Sequence, residues 1–314
     1  MSVIARGEVP AANNRRRRSL AFRRRATPYL FVAPAVFIVS LVLVYPVVSG
    51  IVTSMRDVNL FRGLDEGPFI GLQNYAELFG DPKFINSLTR TFFIVGGSVV
   101  VGIVLSLVTA LTLHSLPGFQ RFFRSTTLIP FFVSGVAVGV SWRFLFNTDS
   151  GVPNTILGIL GFAPVSWLGD EFRAMIVVIL ANTWAIAPLA ILIILGGLQT
   201  VDPQMKEAAR VDGAGGLAVL RHITLPSISP QIGLSLVWLS FASFSVFSMI
   251  MPMTGGGPLR ATEVLAIFMY NEAFKAFNFG TGAAVMVVML LITTLVSVVF
   301  LRIFGRESLL GNAR

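Results

Sequence analysis

The sequence predicts an all-α integral membrane protein, with six transmembrane helices and a cytoplasmic two-helix loop, on three grounds. Only 12% of the 314 residues are charged, about half the share usual in soluble domains, while 54% are apolar and the mean hydropathy is +0.80. Six stretches stay apolar for about 20 residues, the length that crosses a bilayer core. The basic residues, which give a net charge of +9, are spread unevenly over the connections.

The spans are expected at about 30–51, 91–113, 127–146, 174–198, 231–252 and 281–303. With the N-terminus inside, sixteen of the 24 Lys and Arg fall on inner segments, among them Arg15–Arg18, Arg23–Arg25, Lys206, Arg210 and Arg221. That bias places both termini of a multi-pass membrane chain in the cytoplasm. Residues 1–27 form a basic segment, 28–305 the membrane domain and 306–314 a tail. The first apolar run is too long for a cleaved signal and reads as a retained anchor. No groove-reading or stacking motif accompanies the arginines, so they point to anionic membrane lipid and not to nucleic acid. In the third span, Gly135 and Gly139 are spaced as a helix-packing face.

Several function classes are excluded. None of the fifteen carboxylates lies inside a proposed span, so there is no relay for a proton-driven carrier and no acid–base pair for an intramembrane enzyme. The absence of cysteine and the wide separation of His114 and His222 argue against a metal site, and no catalytic residue is assigned. A phosphate-cradling loop needs a Gly-Lys pair, and Lys83, Lys206 and Lys275 all lack the glycine. Gly255-Gly-Gly-Pro258 also lacks the lysine and reads as a tight external turn. Energy must come from another subunit, or from sodium through backbone and hydroxyl ligands in a secondary carrier.

The inner connection at about 199–230 is unlike a solvated linker. Asp202 before Pro203 supplies an N-cap and a first-turn proline, and a helix through Met205, Ala208, Ala209 and Val211 is stopped at Gly213. A second short helix is expected from about Gly216 to His222, ending before Pro226. Two such helices form either a knob for a groove on a partner or a connector lying on the membrane surface.

The pattern Glu207-Ala208-Ala209, three residues, Gly213, nine residues, Ile223-x-Leu225-Pro226 resembles the EAA loop of permease subunits of binding-protein-dependent ABC importers. Tyr45-Pro46, Phe69-Ile-Gly-Leu-Gln-Asn-Tyr75, Thr254-Gly-Gly-Gly-Pro258 and Phe279-Gly280 are similar to landmarks of its carbohydrate branch, which handles maltose-type oligosaccharides, multiple sugars and glycerol-3-phosphate. The resemblance implies three kinds of partner: ATP-binding subunits, a second and different permease chain, and an extracytoplasmic solute-binding protein. It implies no cofactor on this chain, ATP and Mg residing on the ATPase. It assigns Glu207, Ala208, Ala209, Asp212, Gly213, Ile223, Leu225 and Pro226 to ATPase coupling.

Polar and aromatic residues that interrupt the apolar runs are candidates for the solute path. Asn182 and Trp184 do so in the fourth span, and Ser240, Phe241, Ser243 and Phe244 in the fifth. Ser240, Ser243, Phe244 and Phe247 share one helical face. Rings and hydroxyls suit a sugar, although serines also join membrane helices to one another.

Overall fold

The computed structural model describes residues 31–63, 67–116, 118 and 120–310, so the basic segment 1–27 and the last four residues lie outside it. The described residues form helices and no strand; the only sheet-like pairs among them are the bridges Arg56–Phe69 and Asn59–Asn278. The chain divides into two compact units, Met1–Val52 and Thr53–Arg314.

The described part of the first unit is helix α1, Phe31–Thr53, whose last residue opens the second unit; it is 23 residues long and apolar enough to span a bilayer. Its Ser40–Val44 turn is π-helical, and the Tyr45 N–H donates to Ser40 O. That wider turn relieves the clash Pro46 would otherwise make with the carbonyl four residues before it.

In the second unit, α2 (Gln73–Gly80) leads into α3 (Pro82–His114), and α3 runs parallel to α8 (Glu171–Leu198). A buried ladder of small residues, Ser87, Thr91, Ser98, Gly102, Ser106 and Ala110, lies along α3. It allows close approach: a Cβ on Gly97 would sit 2.6 Å from Ile179 Cδ1, and Ser106 Oγ donates to Ala187 O at 3.4 Å. Helix α11 (Ser229–Phe244) packs antiparallel to α8, where Trp238 Nε1 donates to Ile186 O at 3.0 Å. Helix α14 (Phe279–Leu310) meets α13 (Leu265–Tyr270) and the start of α3 in a cluster of Phe84, Phe268, Val285 and Val288.

Four helices qualify as spans alone, and six if each of two bent pairs counts as one. The third expected span is not one helix. Residues Ser125–Phe132, the end of α4 (Gln120–Thr127) together with α5 (Ile129–Phe132), meet α6 (Gly135–Leu145) at 97°. Pro130 lacks a donor, and extended Ser134 caps the new helix by accepting from Ala137 N at 3.3 Å. The other bent pair is the segment Gly216–Ser227 with α11, which meet at 69°, and within the fifth expected span α11 gives way at Ser245–Val246 to α12 (Phe247–Met253). Helix α3 starts at Pro82, not near 91, because Asp81 accepts from Lys83 N at 2.8 Å.

The connection after α12 departs furthest from expectation. Gly255 and Gly256 do take positive φ, 62° and 94°, as a tight turn requires. The chain then dives inward, with Ala261 through Phe268 buried and Leu265 N donating to Thr91 Oγ1 at 2.8 Å. Glu263, the buried carboxylate among the described residues, is paired with Arg260 and accepts from Asn271 Nδ2 at 2.8 Å. Asn86 Nδ2 donates to Arg260 O at 3.2 Å, and Arg90 pairs with Glu171 at 3.3 Å. One end of the unit is thereby tied across four segments.

Near this network, burial raises the pKa of Glu272, and the charge of Asp81 adds to the rise, while Lys83 and Arg260 oppose it. A carboxyl with a raised folded-state pKa stabilises the fold fully below the ordinary glutamate value, and that contribution is lost as pH rises through the raised one. Glu272→Gln is therefore expected to flatten the decline of Tm between mildly acid and neutral pH, read by thermal melts of purified protein. An unchanged pH slope would contradict this.

Candidate functional site

Two regions bring together the residues singled out in the sequence. The first is the connection 199–228. Helix α9 (Pro203–Val211) begins as expected, Asp202 Oδ1 accepting from Gln204 N at 2.8 Å. Gly213 ends it at φ 87°, with Ala214 N donating to Ala209 O at 2.9 Å. The second helix, α10, runs Gly216–Ser227 and does not stop before Pro226. A π-helical turn at Leu220–Thr224, closed by Leu225 N donating to Leu220 O, takes Pro226 into the helix as the turn before Pro46 does in α1.

Buried feet hold this structure to the ends of α3 and α8. Val201 and Ile228 sit in one cluster with Leu113, Leu195 and Leu198, and Leu225 packs against it. What lies between the feet is presented outward. Glu207, Ala208, Asp212 and Gly213 are exposed, Ala209 and Ile223 are half-buried, and Pro226 is exposed. Val211 at 88% and Leu217 at 79% exposure are apolar side chains that the described residues leave uncovered. Glu207 has no hydrogen bond or ion pair among the described residues, so the cap of α9 is Asp202 alone.

The second region is a cleft of about 270 Å³ lined by the α5–α6 bend, α8, α11 and α12. Trp238 and Phe131 stand together on its wall with ring centroids 5.9 Å apart. Asn182 and Phe241 also line it, with Ser245 and Ser248 where α11 breaks. Asn182 Nδ2 donates to Ser243 Oγ at 3.1 Å across the α8–α11 contact. Ser243, Ser240 and Phe244 are buried between helices and do not line the cleft. Trp184 is absent from its wall and lies 6.3 Å from Trp142.

The cleft-side stripe of α11 is Trp238, Phe241 and Ala242, followed by Ser245 at its end, one residue round from the stripe of Ser240, Ser243 and Phe244. Helical periodicity defines both stripes equally well. The distinguishing signal is size: small serines suit close helix contact, and large rings occupy the open side. Phe131 carries no such signal, because its position depends on a bend that apolar periodicity does not reveal.

A second cleft, of about 400 Å³, lies at the end opposite the 199–228 connection. Arg143, Thr254, Gly255 and Pro258 line it, and Arg143 Nη1 donates to Pro252 O at 3.4 Å.

A family model described as "Binding-protein-dependent transport system inner membrane component" matches residues 12–307. The sulfoquinovosyl glycerol transport system permease protein SmoG of Agrobacterium fabrum is 34% identical over 89% of this chain and 90% of its own length. The trehalose/maltose transport system permease protein MalF of Thermococcus litoralis is 30% identical over 90% of this chain and 95% of its own. Among solved structures, a chain of a bacterial ABC transporter involved in the import of the acidic polysaccharide alginate shares the fold with a TM-score of 0.77. The match is 20% identical and covers 92% of this chain and 99% of that one.

Proposed function

Because the chain belongs to the family of binding-protein-dependent transport system inner membrane components, we propose that it is a permease subunit of a carbohydrate ABC importer, coupled to a separate ATPase through residues 200–228. The names of SmoG and MalF support a sugar or glycosyl-glycerol solute. The observation that carries the coupling is the exposed α9 knob between two buried feet. Force applied to such a knob passes into α3 and α8 and is not lost in a soft linker.

In this reading Glu207 makes a charge-assisted contact in the ATPase groove, Ala208 and Ala209 permit close approach, and Gly213 sets the bend. Asp212, Ile223, Leu225 and Pro226 shape and seat the second helix. ATP and Mg are held by that partner, a second permease completes the pore, and a solute-binding protein delivers from outside. The 199–228 side and both termini face the cytoplasm of a prokaryotic inner membrane.

The solute path runs by the α5–α6 bend, where Trp238, Phe131 and Phe241 offer rings to stack on sugar faces and Asn182 offers an amide. Ser240, Ser243, Phe244 and Trp184 support this wall from behind or beside it. Asn182→Leu is expected to leave Ser243 Oγ without its partner, at a cost of about 1–3 kcal/mol, and to weaken uptake several-fold while the complex still assembles. Unchanged uptake affinity and rate would remove Asn182 from the path.

The function is tested by extracting the tagged complex, identifying its subunits and reconstituting it in vesicles. Recovery of an ATPase, with sugar uptake that requires ATP and loaded binding protein, is expected. Uptake by the chain alone under a sodium gradient would overturn the proposal.

A further inference from the structure

We propose that α7 (Val152–Ile159), in the connection between α6 and α8, is an interfacial helix whose apolar face lies in the lipid leaflet opposite the 199–228 knob. The inference needs only that the chain spans a bilayer, so it stands or falls apart from the transport reading.

The segment has an uncommon composition for a solvent-facing connection. Between Asp149 and Asp170 no residue is charged. Val152, Ile156, Ile159 and Leu160 fall at i, i+4, i+7 and i+8, which is one helical face, and all are exposed, Ile159 at 80%. Phe162 extends the same exposed surface just beyond the helix.

This surface is held rigidly. Asn154, on the buried side of α7, makes four hydrogen bonds: Nδ2 donates to Thr148 O and Val165 O at 2.8 Å each, and Oδ1 accepts from Val165 N and Trp167 Nε1 at 3.0 Å each. A segment so fixed cannot turn its apolar side inward, which leaves an outside phase of matching chemistry to cover it.

Two observations favour lipid as that phase. Trp167 meets Phe146 edge-on at 5.7 Å, and Phe146 stacks on Trp142 at 5.5 Å. These rings are half-buried, packing on one side against the core around Met249 and Ile250, and they stand at the ends of spans, where aromatic residues are enriched at the membrane–water boundary. The exposed face is also continuous in chain with the flanking helices, whose nearest turns expose Phe144 and Phe172. A short helix with one apolar face beside an aromatic belt settles in the interface plane.

The chain contains no cysteine, so a thiol introduced into it is its only one, and label carried by the other subunits is subtracted using the transporter assembled with the unsubstituted chain. Ile156→Cys, Ile159→Cys and Phe162→Cys, each carrying a nitroxide label, are compared with Asp149→Cys in the complete transporter in phosphatidylglycerol/phosphatidylcholine vesicles. Power saturation should show oxygen collisions prevailing at 156, 159 and 162, with loss of relaxation by a water-soluble nickel chelate, and the reverse at 149. Nickel access at the three apolar positions would overturn the proposal. So would shielding from both reagents, which would mean that a protein covers the face. Three label positions guard against one disruptive substitution, and assembly of each variant is checked by size-exclusion chromatography.

Discussion

Gly213→Pro is expected to reduce ATP-driven uptake to background while the chain still inserts and accumulates. Gly213 has φ 87°, a value that proline, fixed near −65°, cannot adopt. The turn that places α9 must then open, and the knob loses its shape. No atom lies within 4 Å of where a Cβ on Gly213 would be, so the damage is confined to backbone conformation. Gly213→Ala meets only the left-handed strain of roughly 1–2 kcal/mol and should retain part of the activity. Glu207→Lys is expected to match the proline variant by a different route, placing a cation where the unpaired carboxylate is presented. Uptake assays in vesicles, with membrane content measured in parallel, check all three. Normal uptake by both Gly213→Pro and Glu207→Lys would exclude the knob from coupling.

Gly139→Leu is expected to prevent accumulation of folded protein altogether. A Cβ at this position would lie 2.3 Å from Met249 O and 2.8 Å from Pro252 Cγ, so the α12 backbone would have to move. Overpacking of this kind costs typically about 1–3 kcal/mol and more where backbone is the obstacle. Gly135 provides the comparison. Its Cβ would meet Ser248 Oγ at 2.2 Å, a hydroxyl that can rotate away, so Gly135→Ala should be far milder. Protein yield and melting temperature in detergent distinguish the two, and equal yields would contradict the packing of α6 on α12.

Much of this arrangement is legible in the sequence, for identifiable reasons. Apolar runs longer than a bilayer core have few alternatives to a helix, which is why α1, α3, α8 and α14 are readable. The knob is readable because capping chemistry is local: Asp202, Pro203 and Gly213 act on their own turns. The breaks at Ser134 and Ser245 are not, because hydropathy averages over such residues and a bent span is as apolar as a straight one. Pro226 misleads for a related reason. Proline ends a helix only if the preceding turn stays α-helical, and at Leu220–Thr224 it widens instead. The buried course of Ala261–Phe268 is also hidden, since its place depends on Thr91 and Phe84, far away in the chain. The choice between the two stripes on α11 likewise needs the neighbouring helices.

The central claim, that force enters through α9, can be tested at one atom. The cysteine-free chain allows Ala208→Cys to carry a short photo-crosslinker in the assembled complex. The account predicts a single adduct whose mass equals this chain plus the ATP-binding subunit, with ATP-driven uptake lost on crosslinking. Adducts to lipid alone, in vesicles that still import solute with ATP, would contradict it.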